Sequence, residues 1–255
     1  MPVRTLLPGL ALALALSTAP AGAQTTPFNP DQRRAIEGIV KDYLLANPEI
    51  LQEVFAELEK RQGDAQKTAQ TEALQSERAR LLDSSRDHVA GNPQGDVTLV
   101  EFTDYNCGFC KRALGDIRAL IKADPKLKVV FKDFPVLGPN SVEAARVSTA
   151  ARLQLKTDRQ FEFHTRLMET RGAVNAERAM AVAKEMGLDM ARLQKDMDGP
   201  EVKEAIQTNV VLGDKLGLTG TPAFIVGDEV IFGAVGLEPL RKAVDNTRKC
   251  GKATC

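Results

Sequence analysis

The spacing of apolar residues changes along the chain, and the changes divide it. From residue 28 to about 47, Ile36, Ile39, Val40, Tyr43 and Leu44 recur at helical spacing, with Asp31 in the first turn. Asn47-Pro48-Glu49 then predicts a restart, with asparagine as N-cap, proline at the first helical position and an acid behind it. Ile50, Leu51, Val54, Phe55 and Leu58 make a second stripe, which beyond Glu59 thins to Ala65, Ala69, Ala73 and Leu74 among polar residues. Two such helices cannot enclose their own apolar faces. Residues 28 to about 62 are therefore expected to be an oligomerisation element, and 63 to 90 a polar helical stalk or linker. Packing of these helices on the chain's own remaining part is the alternative.

The turn cluster Gly91-Asn-Pro-Gln-Gly-Asp96 predicts a domain boundary. After it the pattern reads strand 97–103, helix 108–122 and strand 127–132, broken by Asp133-Phe134-Pro135 and by Pro139-Asn140. From 141 to about 216 almost everything is helical by pattern. Ala144, Val147, Ala151, Phe163, Leu167, Met168, Met180 and Met186 carry its stripes, and Gly199-Pro200 separates two short helices near its end. The methionines are core, or a surface that adapts to varied partners. Pro222 is followed by strand 223–226, a Gly227-Asp228 turn, strand 229–232 and a helix from about 237 to 248. The fold class is α/β, with a helical block lying between the strands of one sheet.

Length and composition fit a soluble globular protein: 255 residues, 43% hydrophobic and 27% charged. Lys plus Arg equals Asp plus Glu at 34 each, which leaves no electrostatic case for nucleic acid or for an acidic partner. Residues 1–23 read as a secretory signal, with Arg4, an apolar run over 10–16, and Ala21-Gly22-Ala23 as a small-x-small cleavage site before Gln24. The run is too short to span a membrane, and a retained anchor is the alternative. Export would place the cysteines where disulfides persist, which in a bacterial cell is the periplasm.

Candidate chemistry centres on Cys107-Gly108-Phe109-Cys110, between the apolar strand and the helix. A cysteine at a helix N-terminus has its thiolate stabilised by unsatisfied N–H groups and the positive end of the macrodipole. Cys107 is thus expected to exchange, and Cys110, deeper and one turn on, to resolve the mixed disulfide. A structural zinc site is the main rival, but it needs a second ligand pair, and neither His88 nor His164 lies near another plausible ligand in sequence. Two inert structural cysteines are the other rival. Thr221-Pro222 precedes a short strand, where proline is tolerated either in a cis peptide or as an ordinary trans first residue. Cys250 and Cys255 close the chain, and a local bridge between them is expected, with exchange against Cys107 left open. There is no Gly-rich nucleotide loop, and no cofactor is expected.

These motifs together resemble the thioredoxin-like family, and within it the periplasmic DsbA-like branch. The resemblance rests on the strand before Cys107, the Cys107-Gly108-Phe109-Cys110 motif, Thr221-Pro222 before Ala223-Phe224, and Lys132-Asp133-Phe134-Pro135. It implies a thioredoxin-like fold with an inserted helical domain at about 141–216, preceded by an N-terminal helical extension over 24–90. A catalytic domain would span 91–249 and a Cys-containing tail 250–255. It implies that Pro222 is cis and faces Cys107, beside the backbone that pairs with a bound peptide. It also suggests that Glu101 is a buried carboxylate relaying the proton of Cys110. An edge-strand surface charge is the plainer reading of Glu101.

Tyr43-Leu44-Leu45-Ala46-Asn47-Pro48-Glu49 is similar to the N-terminal segment of ScsC-like proteins, DsbA relatives linked to copper tolerance, some of which are trimers through this segment. Gly108-Phe109 lacks the histidine of strongly oxidising relatives, and Thr221 resembles the isomerase branch, its hydroxyl either donating to the Cys107 sulfur or making a turn-stabilising hydrogen bond. The expected function is a periplasmic thiol–disulfide oxidoreductase, mainly an isomerase or reductase of exported proteins. It would be a homo-oligomer, trimer favoured, resupplied by a membrane redox partner. The alternatives are a DsbA-like dithiol oxidase and, from a different class, a Cu(I)-sequestering protein using its two thiolates.

Overall fold

Two strands of nearly unbroken apolar sequence form the middle of the molecule. In the computed structural model, which describes residues 28–83 and 85–255, β2 (Val97–Thr103) and β3 (Leu127–Asp133) pair in parallel from Val97 beside Leu127 to Thr103 beside Asp133. Helix α4 (Gly108–Ala123) joins them. On the far side of β2, β4 (Ala223–Val226) runs antiparallel and carries β5 (Glu229–Phe232); β1 (His88–Gly91) runs antiparallel along β3. The order across the sheet is β1-β3-β2-β4-β5.

Alternation along β2 and β3 sends side chains to two cores. On one face Leu99, Leu127, Val129 and Phe131 meet Ile117 and Leu120 of α4 and Leu240 and Val244 of α10 (Leu237–Cys250). On the other face Val100, Phe102 and Val130 meet Phe134 and, from α9 (Pro200–Lys215), Leu212. Between β3 and β4 the chain makes α5 (Pro139–Arg152), α6 (Thr157–Glu169), α7 (Ala176–Glu185), α8 (Met190–Met197) and α9, most of which enclose a third core. Met168, Met186 and Met197 are buried in that core, so they serve packing and not an adaptable surface. This is the thioredoxin-like arrangement with inserted helices that the resemblance implies.

The chain divides into two compact units, the first ending at Lys60 and the second starting at Arg61. In the first, α1 (Pro30–Ala46) is capped by Asn29 in a reciprocal capping box with Gln32, and Asn47 closes its C-terminus by donating to the Tyr43 carbonyl. Asn47 thus ends α1, and its backbone carbonyl accepts the Ile50 amide at 3.2 Å at the start of α2 (Glu49–Ser76). No residue of α1 is buried, and Ile39, Val40, Tyr43, Val54, Phe55 and Leu58 stand exposed.

Residues 63–69 continue α2 as an exposed helix, as the stalk reading expects, and the chain from Gln70 on packs within the second unit. Leu74, at the end of α2, and Leu81, in α3 (Arg78–Leu82), are buried on the sheet, and Gln70 donates to the Leu216 carbonyl at 2.9 Å. Burying a leucine is worth about 1.5–3 kcal/mol, enough for two of them to dock a largely polar segment. The sheet also begins at His88, before the turn cluster at 91–96. The expected signal over 1–23 lies outside the described residues. Among those described, no helix is long and apolar enough to cross a membrane.

Candidate functional site

β2 ends at Thr103, and four residues later Cys107 forms the N-cap of α4. Its Sγ accepts the Cys110 amide at 3.4 Å, and its thiol donates to the Thr221 carbonyl at 3.1 Å. The Thr221–Pro222 peptide is cis, and the Pro222 carbonyl accepts the Gly233 amide at 2.8 Å. The sulfur pair is asymmetric. Cys107 is held down to about 5, first by hydrogen bonding from Cys110, then by the Thr221 side chain and the amides of Cys110 and Phe109, against the cost of burial. Burial pushes the Cys110 thiol far up, and the Cys107 sulfur and Glu101 add to the push. Both cysteines are unbridged.

Glu101 lies in the central strand β2, which removes the edge-charge reading, and it is buried. Burial raises its carboxyl to about 8; the Thr103 side chain opposes the rise and the Cys107 sulfur adds to it. Near neutral pH a protonated acid therefore sits below the redox pair. Thus Cys107, Cys110, Thr221, Pro222 and Glu101 are brought together from β2, α4 and the turn before β4. The Thr221 hydroxyl is buried and closes no hydrogen bond of ordinary geometry, which leaves it free to favour the charge on the Cys107 sulfur beside it. Phe109 stands exposed on the rim, with the Arg112 guanidinium 4.1 Å above its ring.

Two features escaped the sequence. Asp104 is a buried hub whose Oδ1 accepts from the Asn106 amide at 2.8 Å and the Ser141 hydroxyl at 2.7 Å. Its Oδ2 accepts from the Val136 and Leu137 amides at 3.0 and 3.1 Å. An aspartate two residues before an asparagine in a strand-to-helix turn is an Asx-turn signal that points to it. The second feature is a buried seam in which Tyr105 Oη meets Ser148 Oγ at 2.7 Å and His164 Nδ1 at 3.2 Å, while His88 Nε2 lies 2.7 Å from Ser148 Oγ. Burial, with Arg152 nearby, lowers His88 to about 3, so the seam is neutral. No local sequence signal joins histidines so far apart in the chain. Among the described residues, Cys107 and Cys110 are the soft donors for a metal, and no cluster of three or more metal-ligating side chains forms.

At the far end of β4, Cys250 and Cys255 form the tail disulfide. The tail is pinned there by Ala253, whose amide donates to Asp228 Oδ1 at 3.0 Å and whose carbonyl accepts from Asn246 at 2.9 Å. Four residues of strand separate this pin from Pro222, about 14 Å at strand rise. A disulfide joins Cα atoms within about 7 Å, so exchange between the tail and Cys107 of the same chain is closed.

Residues 98–245 match the family model described as DSBA-like thioredoxin domain, and residues 32–65 match the copper resistance protein ScsC N-terminal domain. Among solved structures, a thioredoxin-like oxidoreductase from Silicibacter pomeroyi DSS-3 is 42% identical, covering 68% of this chain and 98% of that one with a TM-score of 0.64. Proteus mirabilis ScsC in a transitional conformation is 27% identical, covering 88% of this chain and 98% of that one with a TM-score of 0.63. The Na(+)/H(+) antiporter NhaA of Herminiimonas arsenicoxydans is 29% identical over 171 residues, which are 66% of this chain and 27% of that protein. The chain therefore spans about a quarter of the length of the curated relatives it matches.

Proposed function

The chain belongs to the DSBA-like thioredoxin-domain family, whose members are thiol–disulfide oxidoreductases, and from that premise we propose that it is a periplasmic enzyme rearranging or reducing disulfides in exported proteins. The observation that carries this reading is the asymmetric sulfur pair at the head of α4, with Cys107 ionised below neutrality and Cys110 a buried thiol above Glu101. The Cys107 thiolate attacks one sulfur of a substrate disulfide, and the other leaves with its electron pair. With the Cys107 charge consumed in the mixed disulfide, Glu101 gives its own proton to solvent and its carboxylate takes the Cys110 proton. The Cys110 sulfur then attacks Cys107 Sγ, closing their disulfide and releasing the substrate thiolate. An isomerase returns the Cys107 bond to a different substrate sulfur before that last step.

The exposed apolar stripe of α1 and α2 and the ScsC-type match at 32–65 support a homo-oligomer, a trimer in the favoured reading. Several sites on one assembly raise the effective concentration of the next attack on a trapped chain. Periplasmic homologues support export, and a membrane redox partner would resupply electrons. One observation favours a DsbA-like oxidase instead: a thiolate as stable as that of Cys107 stabilises the reduced form and makes the couple oxidising.

Light scattering beside repair of a scrambled-disulfide substrate separates the two. An oligomer that repairs, and that loses both properties when residues 24–60 are removed, fits the isomerase. A monomer that oxidises reduced substrate and repairs nothing fits the oxidase. The deletion stops at 60 because Leu74, Leu81 and β1 belong to the sheet's own packing.

A further inference from the structure

Asn106 immediately precedes Cys107, and its side chain leaves the redox motif altogether. The amide group pairs with the backbone of Val174 in both directions: Oδ1 accepts the Val174 N–H at 2.7 Å, and Nδ2 donates to the Val174 carbonyl at 3.0 Å. Nδ2 also reaches Ser141 Oγ at 3.1 Å. Val174 is fully buried in the core of the inserted helices, in the loop between α6 and α7. Five residues after Asn106, Lys111 Nζ donates to the carbonyl of Thr170 at 2.7 Å, on the same loop. The inserted helices thus grip the redox motif on both sides of its cysteines.

The grip bears on the sulfur because the support of the sulfur is slender. Cys107 Sγ meets the Cys110 amide at 3.4 Å, so a rotation of residue 107 by a few tenths of an ångström weakens that contact. The favourable field of a helix N-terminus also fades within one turn. The backbone of residue 107 is fixed from upstream: the Asn106 amide is held by Asp104 Oδ1 at 2.8 Å, and the Cys107 amide by the Asp104 carbonyl at 3.0 Å. Asp104 ties the same turn to the start of α5 and the loop before it, and the Asn106 side chain ties it to the loop between α6 and α7.

We infer that Asn106 is a positioning residue through which the inserted helices set the thiolate preference of Cys107, and with it the redox poise of the pair. The inference rests on the proposed nucleophilic role of Cys107. Its test is the thiolate absorbance of the reduced full-length protein against pH, beside equilibrium with glutathione. In that equilibrium the Cys107–Cys110 disulfide and two glutathione thiols exchange for the dithiol and one glutathione disulfide.

In Asn106→Ala the thiolate midpoint is expected to rise by about one pH unit, and the glutathione equilibrium to move about tenfold toward the protein disulfide. Ser141→Ala, which removes one partner of the Asn106 amide and leaves its pairing with Val174 in place, at the cost of one of the two donors to Asp104 Oδ1, moves both in the same direction by about threefold. Wild-type values in both variants, with only a lower unfolding temperature, overturn the inference and leave Asn106 a structural clamp. A wild-type protein with no thiolate signal below neutrality overturns the reading of Cys107 itself, whatever Asn106 does.

Discussion

The chain carries two cysteine pairs at opposite ends of two helices, and they have opposite fates. Cys107 caps the N-terminus of α4, where free N–H groups and the positive end of the dipole favour a thiolate. Cys250 is the last residue of α10, at the negative end, where no such help exists, and Gly251 turns the chain back in the left-handed region at φ 79°. The first pair is buried, unbridged and unequal; the second is exposed and bridged. Spacing alone does not make a cysteine reactive. The helix end it occupies, and the groups stacked over it, decide.

The largest effect expected follows from that difference. Cys107→Ser should abolish disulfide exchange, and Cys110→Ser should accumulate mixed disulfides with substrate that persist without added thiol. Non-reducing gels and mass spectrometry read both outcomes. If Cys110→Ser releases substrate as fast as the parent, resolution runs through another thiol and the assigned division of labour is wrong.

A smaller effect concerns pH. Because Cys107 ionises at about 5 in the folded reduced protein, below an ordinary thiol, its contribution to stability is complete above the unfolded thiol's value. It declines as pH falls and is gone once pH has passed through about 5. Glu101 and Asp133 are raised by burial to about 8 and about 7, and they act in the opposite sense; they titrate in both redox forms and largely cancel in the comparison. The reduced form should therefore unfold at a higher temperature than the Cys107–Cys110 disulfide form at pH 7, with the gap closing toward pH 5. Thr221→Val, which removes a hydroxyl favouring the thiolate, should narrow the pH 7 gap by about 1 kcal/mol. An equal gap at pH 5 and pH 7 would remove the thiolate from the explanation.

How much of this was legible in the sequence follows the same contrast between local and distant causes. The strand before Cys107, the helix after it and the turn residues around Thr221-Pro222 are local patterns, and they place the redox residues within a few positions. The docking of 70–90 was not legible, because Leu74 and the Leu81-Leu82 pair are sparse apolar positions in a polar stretch, and the burial of Leu74 and Leu81 depends on a groove made by β2, β4 and α9. Nor was the seam of His88, Tyr105, Ser148 and His164, since it joins β1, the end of β2, α5 and α6, which only the completed fold brings together. Asp104 and Asn106 stood inside the motif, but as turn-forming residues they gave no sign of the partners they reach.

The smallest effect tests the second pair. Its loop spans a separation of five residues, so cross-linking removes little freedom from the unfolded chain, about 2 kcal/mol at most. The tail it holds fits tightly. Gly227, at φ 61°, lies so near the tail and α10 that a Cβ there would fall 2.7 Å from the Thr247 hydroxyl and 3.0 Å from the Ala253 amide. The joint Cys250→Ser and Cys255→Ser variant should lower the unfolding temperature by roughly 2–6 °C and leave the exchange rate of Cys107 unchanged. Asp228→Ala, which frees the Ala253 amide while keeping the bridge, should do the same more weakly. A loss of exchange in the serine variant would mean that the tail reaches the redox site of another copy of the chain, since within one molecule β4 holds the two pairs apart.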